Sequence, residues 1–307
     1  IYINDLPNDL KTNAKLFADD TSLFSVVNDV NSSYNQLNTD ILSINKWAYL
    51  WKMQFNPDPT KSISEVIFSH KLKKVAHPKI NFNNLQVVPQ SSTKHLGMIL
   101  DSRLNFNLHI DTIISKASKG VGIIKKFQND FSRKTLIKIY KTYVRPHLDY
   151  GDIIYDKPNH ENFTSKIESI QYKAGLAITG AIRGTSRERL YQELGLESLQ
   201  NRRWFRKMCL FWKICNGLAP QYLTKLLPAY QVSRNPRRQE RFISFDRNTN
   251  FFANSFFPYC TDRWNELDPA LKNIKSLALF KKSLLAFIRP TGNPVFEVSD
   301  HSGLKLL

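Results

Sequence analysis

The stretch Lys15-Leu16-Phe17-Ala18-Asp19-Asp20-Thr21-Ser22-Leu23-Phe24-Ser25-Val26 decides how this chain is read. Two apolar pieces around a pair of acids predict strand, tight turn, strand, because Asp tolerates turn geometry and bonds its own backbone. Adjacent carboxylates at a hairpin tip cannot move apart. Ionised together they repel, a cost that a divalent cation with oxygen ligands offsets. Side chains alternate along a strand, so one of the pair faces a metal squarely, and Asp19 is the first choice. Two-metal phosphoryl transfer uses such carboxylates to hold ions about 3.5–4 Å apart, one activating the attacking hydroxyl and one the leaving group. A plain solvated Asp-Asp turn fits the same residues, and both readings stand at this point.

Upstream, Asn4, Asp5, Pro7, Asn8 and Asp9 form turns. Downstream, Leu37, Ile41, Ile44, Ala48 and Trp51 recur at helical steps behind a cap at Ser32 or Ser33, with Asn56-Pro57-Asp58-Pro59 as the stop. Strands are expected over 64–69, 79–82, 85–88 and 96–100, with Asn83-Asn84 as a hairpin turn. Past Asp101 the period becomes helical. Phe106, Ile110, Ile113, Ala117, Val121, Ile124 and Phe127 form one stripe, and Ser132 opens a second helix that Pro146 ends. Further helices are expected over 160–182, 186–194, 197–216 and 276–288, with Gly195 and Gly217 as C-terminal stops. The stretch 228–250, with Arg234, Arg237, Arg238, Arg241 and Arg247, reads as a basic linker. The fold class is therefore α+β at first and mostly α-helical afterwards, with a boundary near 101–107.

The 307 residues suffice for about two domains. Hydrophobic content of 42% excludes a disordered tail, and a net charge of +18 points to a polyanionic partner. Only +2 of that charge lies in the first hundred residues; the rest, with every arginine, follows. The late apolar run 277–288 is broken by Lys281 and Lys282, so no membrane span and no membrane partner is expected. Cys209, Cys215 and Cys260 make an odd set without a CxxC pair, against a disulfide scaffold or zinc knuckle. His77, His95 and His109 do not sit with acids at ligand spacing. A Gly-rich phosphate loop and a Gly-x-Ser-x-Gly elbow are both missing from the sequence. Cations interleave with aromatics where Arg202, Arg203, Arg206, Lys207 and Lys213 meet Trp204, Phe205, Phe211 and Trp212, a pattern suited to phosphates and stacked bases. The same aromatics at helical spacing also suit a core, with the cations as its solvated face. Lys116, Lys119, Lys125 and Lys126 could likewise track a duplex or be plain surface.

Tyr2-Ile3-Asn4-Asp5-Leu6-Pro7 followed by Phe17-Ala18-Asp19-Asp20-Thr21 resembles the reverse transcriptase of non-LTR, LINE-type retrotransposons, whose polymerase carries a [Y/F]-x-D-D box. The similarity runs on in order through Trp47 and Trp51, Phe55-Asn56-Pro57-Asp58-Pro59-Thr60-Lys61, and His95-Leu96-Gly97-Met98-Ile99-Leu100-Asp101. The helical stretch 114–155, with Tyr143-Val144-Arg145-Pro146-His147-Leu148-Asp149-Tyr150-Gly151, is similar to the thumb and following segment of jockey-like elements.

That resemblance implies a partial polymerase palm over 1–103, thumb-like helices over 104–160, a basic helical region over 161–227, and a basic linker with C-terminal helices over 228–307. It implies Asp19 and Asp20 as the metal-binding pair for Mg²⁺ or Mn²⁺, and Lys61 beside the pyrophosphate leaving group. His95, Leu96, Gly97 and Met98 would form a primer-grip-like hairpin, with Gly97 permitting close backbone approach. The implied partners are an RNA template, a DNA primer and a dNTP, in the cytoplasm and nucleus. The family's other palm Asp would precede Ile1, so the expectation is a C-terminal piece inactive by itself. The alternative is a non-catalytic nucleic-acid-binding relic that uses the basic and aromatic helices.

Overall fold

The computed structural model describes residues 3–56, 63–71, 76–83, 85–231 and 241–288. The chain divides into two compact units, Ile1–His109 and Ile110–Leu307. The first mixes one long helix with two-stranded antiparallel sheets and the second is mostly helical, so the α+β class holds.

In the first unit, β1 (Asn13–Phe17) pairs with β2 (Asp20–Phe24), β3 (Ile80–Phe82) with β4 (Leu85–Val87), and β5 (Ser92–His95) with β6 (Met98–Asp101). Helix α1 (Val30–Leu50) supplies the core face, with Tyr34 and Ile41 buried against Ile80 and Phe82. Its cap is Asp29, whose side chain accepts from Ser32 N at 2.6 Å, rather than either serine. Asp competes well for that position because its carboxylate also meets the positive end of the helix dipole. The helix ends well before the proline cluster: Met53 N returns to Ala48 O at 2.9 Å, and Lys52 takes the left-handed φ of 56°. That closure satisfies the last carbonyls locally, as glycine does in other helices.

Two expected strands change. Residues 64–69 form no strand and join no sheet; their backbone hydrogen bonds include Gln90 N to Glu65 O and Ser69 N to Ser102 O. The expected strand 96–100 starts at Met98, because Leu96 and Gly97 take φ of 45° and 80° and form the turn between β5 and β6. Two consecutive left-handed residues cannot continue a strand, and the flanking strands twist correctly only around such a turn.

The second unit holds α2 (Asn107–Lys126, from Ile110 onward), α3 (Arg133–Ile139) and a π turn over Tyr140–Val144. It continues through α4 (Arg145–Asp149), α5 (Asp152–Tyr155), α6 (Glu161–Thr179) and α7 (Arg187–Leu194). Ser132 caps α3 as expected. Pro146 does not end the helix. The π turn shifts the bonding register, Arg145 N reaching Tyr140 O, and Pro146 enters the first turn of α4, where its missing N–H costs little. Gly120 lets α2 approach this turn, since a Cβ there would lie 2.7 Å from Val144 Cγ2. Helix α8 (Leu199–Cys215) is the central element, and α9 (Phe256–Glu266) and α10 (Leu277–Ile288) pack on it. Their shared core is Met208, Phe211, Trp212, Trp264, Phe280 and Leu284. Gly195 stops α7 at φ 59°, and Gly217 follows α8 at φ 69°.

Candidate functional site

The acidic hairpin closes on the pair Phe17 and Asp20, leaving Ala18-Asp19 as a two-residue turn. Ala18 adopts φ of 53°, a conformation in which a Cβ is strained. Asp19 and Asp20 are both exposed. The other end of β1 is anchored by a carboxylate that sequence reasoning missed. Asp40 is fully buried on α1 and accepts from Lys11 N at 2.9 Å, Thr12 N at 2.7 Å and Thr12 Oγ1 at 2.6 Å. Trp47 Nε1 donates to Asp5 Oδ1 at 3.2 Å, tying the opening Asn4-Asp5-Leu6-Pro7 segment to the same helix. The hairpin is thus held at its base by α1 while its tip presents two acids to solvent.

The hairpin β5–β6 meets it. Ser22 Oγ and His95 Nδ1 lie 3.4 Å apart. Ser22 and Asp20 are two residues apart on β2 and therefore share a face, so His95 approaches the face that carries Asp20. Of the other residues in this turn, Leu96 and Gly97 are exposed and Met98 is buried. His109 is 2% exposed and its Nδ1 accepts from Ile99 N at 3.3 Å. Asp101 closes the segment by accepting from the amides of Arg103, Asn105 and Phe106. Among the described residues, no group of three or more His, Cys, Asp or Glu side chains is placed to hold a metal. Lys61 lies outside the described residues.

In the helical unit Lys116, Lys119, Lys125 and Lys126 are exposed along α2. The basic side of α8 divides into two pairs. Arg202 and Arg206 stay half-exposed. Arg203 and Lys207 do not reach solvent: they are 2% and 1% exposed and bind Asp156 at 2.8 and 2.9 Å. This corrects their assignment to nucleic-acid binding, since a cation buried on a carboxylate has no free face for a phosphate. The aromatics follow the core alternative, with Phe211 and Trp212 fully buried and Trp204 and Phe205 packed against the same cluster.

The partners of these cations carry the local electrostatics. Asp149 takes Arg202 through Nε and Nη2, and Arg206 lies 3.4 Å from Asp152 Oδ2. Burial pushes the Asp152 carboxyl up to about 7, although Arg206 pulls it down and Asp149 adds to the rise. Glu168, also raised mainly by burial, accepts from Leu199 N at 3.0 Å and so caps α8 from α6. No sequence period announces these acids: Asp149 ends α4, the left-handed Gly151 breaks the helix, and Asp156 lies past the end of α5.

Three curated proteins of Drosophila melanogaster are similar to this chain. They are a probable RNA-directed DNA polymerase from transposon X-element, 24% identical over 64% of the chain; a probable RNA-directed DNA polymerase from transposon BS, 26% identical over 60%; and the RNA-directed DNA polymerase from mobile element jockey, 26% identical over 54%. The chain spans about a fifth of the length of each of them. No family model matches the chain, and no solved structure matches it. The similarity to these three proteins covers 54–64% of the chain.

Proposed function

We propose that this chain is part of the RNA-directed DNA polymerase of a non-LTR retrotransposon, and that its first unit is a portion of the polymerase palm. The single observation that carries this is the hairpin Asn13–Phe24, which sets Asp19 and Asp20 side by side at a strained, solvent-open tip. The similarity to three such polymerases supports the same reading.

The donor set suits a hard divalent cation. Mg²⁺ is commonly held by one or two carboxylates together with water and substrate phosphates. Asp19 and Asp20 would hold it, and the metal would supply charge stabilisation to phosphoryl transfer from a dNTP. His95 stands on the Asp20 face, where a turn with exposed Leu96 and Gly97 can lie against a primer strand. The exposed lysines Lys116, Lys119, Lys125 and Lys126 of the thumb-like helices, with Arg202 and Arg206, neutralise template or primer phosphates. Lys61 completes the set as a cation near the leaving group.

A two-metal reaction needs a further carboxylate beside Asp19 and Asp20. Primer extension on an RNA template with Mg²⁺ is therefore to be measured in a polymerase that contains this chain. Such a polymerase is expected to extend the primer and to lose that extension with Asp19→Ala or Asp20→Ala. Unchanged extension by both variants would remove the acidic hairpin from the mechanism.

A further inference from the structure

Lys134 and Lys138 of α3, Lys141 of the π turn and Arg145 of α4 follow at steps of four, three and four residues. That spacing keeps side chains on one helical face. Lys134, Lys138 and Lys141 are exposed and make no ion pair among the described residues. At about 1.5 Å per residue the row runs for roughly 16 Å. The opposite face, Leu136, Tyr140, Val144 and Leu148, is buried.

At its end the row meets a cluster of guanidinium groups. Arg145 Nε, Arg202 Nη2 and Arg206 Nη1 lie 3.6, 2.8 and 3.5 Å from one atom, Asp149 Oδ2. Their side chains keep 23%, 34% and 34% of their exposure, so donors remain free to a ligand. One carboxylate cannot balance three guanidinium groups, and among the described residues Asp152 pairs with Arg206 alone. Burial first, then Arg145 and Arg202, lower the Lys141 ammonium, whereas hydrogen bonding and charge from Asp149 raise Arg202 against its own burial. Burial and Arg202 likewise lower Arg145. Half-buried surplus charge of one sign is unfavourable until an anion with several oxygens covers it.

We propose that this ridge is the track of a nucleic-acid phosphodiester backbone, with Arg145, Arg202 and Arg206 clasping one phosphate and Asp149 holding their forks in place to receive it. The inference rests on the nucleic-acid part of the reading above and goes beyond it in naming the strand's path. A linear row of regularly spaced cations suits a linear polyanion. A membrane surface is the poorer fit, because the apolar side of the same helices is already spent in the core.

The test is fluorescence anisotropy of the full chain with a short fluorescein-labelled single-stranded RNA, over about 50 to 300 mM KCl. The triple variant Lys134→Gln, Lys138→Gln, Lys141→Gln, all at exposed sites, is expected to bind at least about tenfold more weakly. Its slope of log affinity on log salt should fall by about 2, at roughly 0.7 per lost phosphate contact. Arg145→Lys keeps the charge and loses the fork, so its affinity should drop at an unchanged slope. Lys225→Gln, Lys275→Gln, Lys282→Gln removes equal charge elsewhere and should leave the slope unchanged. Binding with the wild-type slope by the Lys134/Lys138/Lys141 variant overturns the ridge and leaves the polymerase reading standing. Failure of the wild type to bind RNA at about 50 mM KCl overturns both, as does binding to phosphatidylserine vesicles in place of RNA.

Discussion

Asp19 and Asp20 stand open to solvent at the tip of a hairpin, whereas Asp152 and Asp156 are buried among arginines between helices. The same side chain is used in opposite ways. In the first unit the exposed acids have no cation assigned to them among the described residues, which leaves them available to a metal. In the second, Asp156 is consumed by Arg203 and Lys207, and those two cations are lost to any external partner. Composition alone cannot separate the cases, because acids and bases that cancel inside a core still count toward the net charge. The functional charge of the helical unit is the part left outside these pairs.

The contrast is undone most severely at Asp156. Asp156→Ala would strand two cations that are almost fully buried, and removing one side of a buried pair costs about 3–5 kcal/mol. Urea unfolding followed by near-UV circular dichroism should show that loss, and a change below about 1 kcal/mol would mean that the pairs are solvated. Asp40→Ala removes three hydrogen bonds at the base of β1 and should cost about 2–3 kcal/mol in the same assay. It should also weaken the acidic hairpin without touching its tip.

Asp152 extends the contrast to pH. Its carboxyl is lifted from 3.8 to about 7 by burial, so between those values the folded chain holds a proton that the unfolded chain has released. Stability should therefore fall as pH rises through that window and level off above it, losing about 1.4 kcal/mol for each pH unit crossed. Asp152→Asn should flatten the fall, leaving the variant at least as stable as the wild type at high pH. A parallel pH profile for the two proteins would show that Asp152 is ionised throughout. The smallest stability effect belongs to the exposed pair: Asp19→Asn should change unfolding free energy by less than about 0.5 kcal/mol. A larger loss would give Asp19 a structural role in place of a metal-binding one.

Much of this architecture was legible in sequence. The change from strand alternation to helical period after Asp101, the hairpin around Asp19 and the stops at Gly195 and Gly217 all follow from local chemistry. Less legible were the ends that tertiary or backbone geometry decides. The close of α1 at Lys52 uses a left-handed lysine that carries no turn signature, and the π turn at Tyr140–Val144 lets Pro146 pass. Of the site, the adjacent acids and the basic stripe were visible, but the burial of Arg203 and Lys207 was not, because a helix period locates a face without saying what covers it. Asp156 and Asp40 could be placed only once the chain had folded around them.

A metal-holding hairpin stands or falls on where a divalent cation binds. In amide NMR spectra of the full chain, substoichiometric Mn²⁺ should first broaden the resonances of Ala18, Asp19, Asp20 and Thr21, and the double variant Asp19→Asn, Asp20→Asn should abolish that broadening. Broadening that spares these four amides, or that survives in the double variant, would contradict the assignment of this hairpin as the metal-holding edge of a polymerase palm.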